Sequence, residues 1–185
     1  MNLFFLHADP KKSASYYYNK HCVKIILEIC QMLYTAHWMI RGDDEHWISG
    51  HFGDLQLKPY RKTHYNHPTS KWIRQSHDNY LYACHMGLEL CYEYTRRYKK
   101  IHKCQQRLEW MLQNIPDNFP TIDVQGYLAT DGVPTGCTPI PLAMPEKYHT
   151  KNVIQSYRLY YIHDKKSIAQ NEDVWNTLRS EWCIQ

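Results

Sequence analysis

The 185-residue sequence predicts a mainly α-helical fold, a compact single-domain helical bundle with long irregular loops that spans residues 1–185. Two observations predict it. Long segments almost free of glycine and proline carry apolar residues at helical spacing, and six of the nine prolines fall instead within residues 115–149. A chain of this length buries roughly two-thirds of the surface that it exposes when unfolded, so it needs neither disulfide bonds nor metal ions to fold.

The central helix is predicted in the first quarter of the chain. Residues 1–7 are apolar and predict a short buried strand or extended segment, and a long helix without glycine or proline follows from about Ser15 to Ile40. Because a surface helix usually has a wide polar face, the narrow stripe on this helix predicts a central position with the stripe lining a cavity. At 100° per residue, an arc of about 80° contains the polar residues of the stripe: His21, Lys24, Glu28, Gln31 and Thr35.

Helices and irregular connections alternate in the rest of the chain. Glycine and proline predict an irregular loop over residues 41–69, and a loop of that length is usually functional or mobile. We expect residues 1–114 to form the helical core and residues 115–185 to dock on it. Further helices are predicted from Ser70 to Tyr98, over 101–114 and over 151–163, with an irregular excursion over 115–149 and a docked tail that contains Trp175 and Trp182.

Composition limits the function classes that the chain can serve. The formal net charge of +4 permits binding of a polyanion without requiring it. Seven cysteines without a Cys-X-X-Cys pair predict free thiols that pack as small apolar side chains in a reducing compartment. Because no segment has the ~18 apolar residues of a membrane span and the start lacks a basic leader, we expect a soluble cytoplasmic protein, in the host cytoplasm if the chain is viral.

The polar stripe is the first candidate site. Glu28 lies two helical turns after His21 on the same face. A carboxylate held among histidine and lysine can stabilise positive charge that develops on a sugar, or can act as a general acid or base. The alternative is an ordinary helix ion pair between Lys24 and Glu28.

A second candidate site is the segment Thr-His-Tyr-Asn-His-Pro at residues 63–68, with Arg74 nearby. Two histidines and an amide on a proline-closed loop can grip a phosphate or the edge of a base; the alternative is that His64, Asn66 and His67 are satisfied within the loop. The histidine pair lacks the second ligand pair of a structural zinc site, so we expect neither a metal nor a cofactor.

Two cationic features complete the candidates. Arg158 lies next to Tyr157 and two further tyrosines, which is a composition that can stack on a nucleotide. The most basic stretch either follows a phosphate backbone or forms a solvated helix end: Arg96, Arg97, Lys99, Lys100, His102 and Lys103.

The sequence contains no GxxxxGK[ST], GxGxxG, GxSxG or HExxH motif, so nothing favours a kinase, dinucleotide oxidoreductase, α/β-hydrolase or zincin.

Three segments resemble the pyrimidine-dimer DNA glycosylase family, which includes the phage endonuclease that excises thymine dimers. They are the opening Met1-Asn2-Leu3-Phe4-Phe5-Leu6-His7, the helix with Asn19, Lys20, His21 and Glu28, and the turn Asn66-His67-Pro68. The resemblance covers residues 1–7, 16–35 and 63–103. It implies a helical bifunctional glycosylase and AP lyase, in which the α-amine of Met1 attacks C1′ of the nucleotide and Glu28 stabilises the sugar cation and assists β-elimination.

Two departures from the family pattern keep other functions open. Leu27 and Gln31 stand where the phage member has arginines that hold DNA, and the large Asn2 favours retention of Met1. The first hypothesis is a DNA N-glycosylase and lyase that acts on a damaged or modified base. The others are binding or processing of a free nucleotide, and non-catalytic sequestration of a nucleotide signal during infection. The expected partner is therefore DNA or a small nucleotide and no membrane; no feature indicates an oligomeric state.

Overall fold

Eight α-helices joined by irregular segments dominate the computed structural model, which describes residues 3–122 and 128–184. This content confirms the predicted mainly α-helical fold. An antiparallel pair of short strands, β1 (Leu128–Ala129) and β2 (Ile140–Pro141), places Ala129 opposite Ile140. The helices are α1 (Pro10–Ser15), α2 (Asn19–Ile40), α3 (Glu45–Leu55), α4 (Pro68–Ile73), α5 (His77–Tyr98), α6 (Gln105–Gln113), α7 (Val153–Asp164) and α8 (Glu172–Glu181).

The predicted start of the central helix at Ser15 is wrong, because α1 ends there and α2 begins at Asn19. Asp9 caps α1 by accepting hydrogen bonds from two backbone amides of its first turn. Tertiary contacts favour the break that follows: the Tyr17 hydroxyl bonds to the backbone of Phe4, and the Tyr18 amide donates to the Tyr161 hydroxyl. Both tyrosines are buried, so packing outweighs helix propensity at this point.

The prediction of a continuous irregular loop over 41–69 is also wrong. Asp44 caps α3, and Trp47, His51 and Leu55 bury one face of that helix at a spacing of four residues. Each of the two glycines inside α3 costs about 1 kcal/mol of helix stability relative to alanine, and the buried face offsets that cost. Residues 57–67 do remain irregular until α4 begins at Pro68.

The second long helix does not begin at Ser70. The chain instead forms the short α4, turns, and starts α5 after Ser76, whose hydroxyl accepts a hydrogen bond from the Asn79 amide. The helices predicted over 101–114 and 151–163 are present with shifted ends, as α6 and α7. In the described part of residues 115–149, the regular structure consists of the two short strands and a 3₁₀ turn.

The core is built around α2, which packs on α5 and also contacts α4 and α6. Gly87 of α5 allows the closest approach: a Cβ there would lie 3.0 Å from Leu108 of α6 and 3.2 Å from Ile29 of α2. One continuous cluster of buried side chains extends from Leu3 to Trp182, which favours the predicted single-domain organisation without testing it. All seven cysteines are free and five are buried, as predicted.

The carboxy-terminal region docks on the start of the chain. Tyr161 of α7 stacks on Tyr18 with ring centroids 4.5 Å apart. The Trp175 indole of α8 donates to the Ile162 carbonyl, and Trp182 packs edge-on against Tyr16. These contacts favour the predicted docked tail with its two tryptophans. No helix in the described part of the chain combines the length and apolar character needed to cross a membrane.

Candidate functional site

A small polar cleft lies beside the first half of α2. Its volume is about 220 Å³, and three of the five stripe residues line it. Below it is called the Glu28 cleft. The α2 helix contributes one wall, the buried segment at residues 3–6 a second, and α7 with the segment after β2 a third. The lining residues are Phe4, His21, Lys24, Ile25, Glu28, Ala143, Tyr160 and Lys165.

Glu28 is the buried carboxylate of this cleft. Only 8% of the residue is exposed, and its Oε1 lies 3.4 Å from Nζ of Lys24, whose side chain is 69% exposed. The helix ion pair anticipated as the alternative is therefore present, and the same carboxylate also lines the cleft. A charge fixed where water is largely excluded acts more strongly on a cation that develops beside it than a solvated charge does.

His21 is held in one orientation by aromatic neighbours. Its ring stacks on Phe4 with centroids 4.8 Å apart, and its Nδ1 lies 2.9 Å from the Tyr161 hydroxyl. That hydroxyl accepts a hydrogen bond from the Tyr18 amide at 2.8 Å, so its own proton is available for Nδ1 of His21. When the hydroxyl donates that proton to Nδ1, the histidine proton lies on Nε2, and we infer this tautomer because it gives the buried hydroxyl proton an acceptor.

The electrostatics of the cleft keep His21 neutral near pH 7. Burial, followed by the positive charges of Lys165 and Lys24, together lower the pKa of His21 to about 4. The imidazole can therefore donate a hydrogen bond from Nε2 to a substrate oxygen. It does not add a positive charge to the site.

The loop at residues 63–68 lies at the start of α4. His67 caps this helix by accepting a hydrogen bond from the Thr69 amide, so its Nδ1 is used structurally. Burial lowers the pKa of His67, while the Glu28 carboxylate raises it, so these two side chains are within electrostatic reach of each other. His64 and Asn66 are exposed beside it and remain candidates for substrate contact.

Arg74, which was predicted as a substrate contact, is buried in the structure. It is 4% exposed, and its guanidinium donates to the Tyr65 carbonyl at 2.6 Å and to the Ser70 hydroxyl. The side chain lies under the loop and fixes its shape. Burial of Arg74 was not predictable from the sequence, because the carbonyl that it satisfies belongs to an irregular segment.

Tyr157, also predicted as a substrate contact, is buried as well. It is completely buried between Phe4 and Phe5, and its hydroxyl donates to the Pro141 carbonyl at 3.0 Å. Arg158 is half-buried and donates to the Leu6 carbonyl. It lines a separate groove of about 580 Å³ with His7 and Trp182, so the structure does not bring it to the Glu28 cleft.

The other predicted residues have different positions. Gln31 is half-buried one turn beyond Glu28, and it is not among the residues that line the cleft. Met1 lies outside the described residues. Within the described ranges, no three or more His, Cys, Asp and Glu side chains are grouped so that they could hold a metal ion.

Three important neighbours were missed from the sequence. Tyr160 and Lys165 line the cleft, and Tyr161 orients His21, all from more than 130 residues further along the chain. The tyrosine-rich composition of α7 was the only signal, and it drew attention to Tyr157 and Arg158 instead. Nothing local in the sequence marks Lys165.

Comparison with known proteins identifies a family. The model of the family described as pyrimidine dimer DNA glycosylase matches residues 1–106, which is more than half of the chain. The matched segment includes His21, Lys24 and Glu28. Neither the curated proteins nor the solved structures gave a match.

Proposed function

This chain belongs to the pyrimidine dimer DNA glycosylase family, and from that membership and the Glu28 cleft we propose that it is a DNA N-glycosylase with AP-lyase activity. Family membership supports a glycosylase-type function in DNA repair broadly. The observation that carries the finer proposal is the buried Glu28 carboxylate, which shares a cleft with His21 and Lys24. The substrate is a damaged or modified base that leaves the stack before reaction.

The proposed reaction begins with an amine. The α-amine of Met1 attacks C1′ of the deoxyribose, the bond between C1′ and the base nitrogen breaks, and the base leaves with the electron pair and takes up a proton. Met1 lies outside the described residues, so this role rests on the family resemblance and on chemistry. An α-amine with a pKa of about 7.7–8 is partly free base at neutral pH, unlike a lysine side chain.

Glu28 acts on the sugar in this scheme. Its carboxylate stabilises the positive charge that develops at C1′ as the base departs. The attached amine then loses a proton, and its electron pair forms the imine as the C1′–O4′ bond breaks and O4′ takes up a proton, which opens the sugar ring. Removal of a C2′ proton expels the 3′ phosphate by β-elimination, and water hydrolyses the imine to release the enzyme. His21 donates from Nε2 to a sugar oxygen, and Lys24, His64 and Asn66 bind the flanking phosphate or base.

Trapping with borohydride tests this proposal, because borohydride reduces the imine to a stable amine. Duplexes that carry an abasic site, a pyrimidine dimer or other damaged bases are incubated with the protein and the reductant. We expect a covalent adduct that peptide mass spectrometry assigns to Met1, and strand cleavage without the reductant. The proposal is lost if no duplex gives an adduct or a nick, and an adduct on a lysine would overturn the assignment of Met1.

A second candidate function is binding or processing of a free modified nucleotide, including its sequestration without turnover. One observation favours it: Leu27 and Gln31 stand where the phage member has arginines that hold DNA. Thermal unfolding with a nucleotide panel tests it. If a nucleotide raises the Tm and lesion DNA gives neither an adduct nor a nick, the results support this second function over the first.

A further inference from the structure

The carboxy-terminal region supplies one wall of the Glu28 cleft. The family match ends at residue 106, whereas Ala143, Tyr160 and Lys165 line the cleft from beyond it. Tyr161, on the same helix as Tyr160, orients His21 through its hydroxyl. The site is therefore assembled from two parts of the chain, of which only the first carries the family pattern.

Lys165 is the charged residue of this wall. It caps the carboxyl end of α7, and its ammonium lies 4.5 Å from the centroid of the Tyr160 ring, which favours one position of a flexible side chain. The charge acts within the cleft, because burial and then Lys165 are the two largest causes that lower the pKa of His21. Lys165 is half-buried, so part of its surface remains open to a ligand.

The charge balance of the cleft favours an anion. The lining residues include two lysines, Lys24 and Lys165, and a single carboxylate, Glu28, which lies 3.4 Å from the first of them. The neighbouring Asp164 bonds instead to the Tyr148 hydroxyl and lies 3.8 Å from Lys147. Across residues 3–122 and 128–184, no carboxylate lies within ion-pairing distance of Lys165.

We propose that Lys165 is a substrate-binding residue that holds a phosphate of the nucleotide whose sugar faces Glu28. The inference rests on the proposed function and adds the carboxy-terminal region to its substrate site. The cleft, at about 220 Å³, has room for a sugar with a phosphate group, and it is small for a whole dinucleotide. A phosphate beside Lys165 would place the adjoining sugar between the two walls, where Glu28 and His21 lie.

Substitution of Lys165 tests the inference on the full-length protein. Lys165→Met keeps most of the apolar stem and removes the charge, Lys165→Gln is a second neutral variant, and Lys165→Arg restores the charge. Lys166→Met is the matched control, since Lys166 lies outside the cleft, where its ammonium is 3.9 Å from the Trp175 ring centroid and 3.3 Å from Glu172. Binding to lesion DNA is measured from low to moderate salt.

The expected result is a loss of affinity of about tenfold in both neutral variants, with the slope of log K against log salt reduced by about one. Lys165→Arg should keep the wild-type slope, and Lys166→Met should change affinity less than twofold. A merely structural role of Lys165 would not change the salt slope. Wild-type affinity and slope in both neutral variants would overturn the inference.

The two proposals fail in different ways. In the first case, the wild-type protein cleaves lesion DNA and forms the covalent adduct while the neutral Lys165 variants bind DNA with wild-type affinity and salt slope. In that case only the proposed role of Lys165 is lost. If the wild-type protein neither binds nor cleaves any lesion duplex, the proposed function is lost, and the phosphate role falls with it.

Discussion

At the scale of single residues, burial fixes the position of the Glu28 carboxylate and the charge state of the His21 imidazole. The carboxylate is fixed beside a lysine, and the imidazole is kept neutral with its proton on Nε2. Tyr161 is the residue that sets this tautomer, because its buried hydroxyl accepts from the Tyr18 amide and has its proton left for His21. A hydroxyl 140 positions away therefore orients the His21 ring.

Removal of that hydroxyl gives the first prediction. Tyr161→Phe leaves Nδ1 of His21 and the Tyr18 amide without their partner, so we expect the preference for the Nε2 proton to be lost. We also expect the free energy of unfolding to fall by about 1–3 kcal/mol. Nitrogen NMR of the histidine ring and urea unfolding measure the two effects.

Tyr157→Phe is the matched control, because it removes another buried hydroxyl that bonds to the Pro141 carbonyl and not to His21. It should lower stability without changing the His21 tautomer. An unchanged tautomer in Tyr161→Phe as well would contradict the role given to Tyr161.

The sequence predicted the stripe residues because helical periodicity places them on one face, a property of near neighbours in the chain. His21, Lys24 and Glu28 line one cleft for that reason. The sequence did not indicate that Arg74 and Tyr157 are buried, because their hydrogen-bond partners are backbone carbonyls outside their own helices. No local pattern indicates where such carbonyls lie.

At the scale of elements, side chains order the irregular segment at residues 57–67 by bonding to its backbone. Trp38 donates to the Tyr60 carbonyl, and Arg107 donates to the Lys58 carbonyl. The hydroxyl of Thr35, the last polar residue of the stripe on α2, accepts from the Thr63 amide, and its single proton is shared between the Thr63 carbonyl and the Gln31 carbonyl, each 2.9 Å away. The segment that carries His64 and Asn66 is therefore attached to α2 at the level of Thr35.

Thr35→Val tests this attachment. Valine has nearly the same shape, and it leaves both backbone groups of Thr63 without their partner in a partly buried position. We expect the free energy of unfolding to fall by about 1–3 kcal/mol, with faster amide exchange over residues 60–67. Thr177→Val, which removes an exposed hydroxyl bonded to the Asp173 carbonyl, should change stability by less than about 0.5 kcal/mol. Equal effects of the two substitutions would refute the attachment.

Helix existence was easier to predict than helix ends. The long apolar patterns gave α2, α5, α6 and α7, whereas α3 was missed because two glycines lower its propensity. Caps decided the remaining boundaries: Asp44, His67 and Ser76 each accept a backbone amide and begin a helix. Such residues are common in loops too, so a cap is recognised only when the packing of the following face is known.

At the scale of the whole molecule, three buried histidines make stability depend on pH. Burial lowers the pKa of His21 and His51 to about 4 and that of His37 to about 3. In the unfolded chain these groups have a pKa of about 6.5. Between that value and about 4, the unfolded state binds protons that the folded state does not bind.

The free energy of unfolding should therefore fall as the pH drops from 6.5 towards 4, by up to roughly 1.4 kcal/mol per pH unit for each histidine. Urea unfolding at several pH values measures the slope. His37→Gln should reduce the slope of the unfolding free energy against pH by the contribution of about one proton. The substitution of the exposed His85 by Gln should leave this slope unchanged. A flat dependence over this window would rule out the protonation states assigned to the core.

The measurement that tests the account most directly is the rate of base release in a single turnover by Glu28→Gln. The amide keeps the shape of the side chain and removes the charge that faces the sugar. We predict a rate at least about a hundredfold below wild type with DNA binding within about threefold, while Glu89→Gln, which alters a carboxylate of α5 outside the cleft, keeps the wild-type rate. A wild-type rate in Glu28→Gln would contradict the claim that this buried carboxylate performs the chemistry.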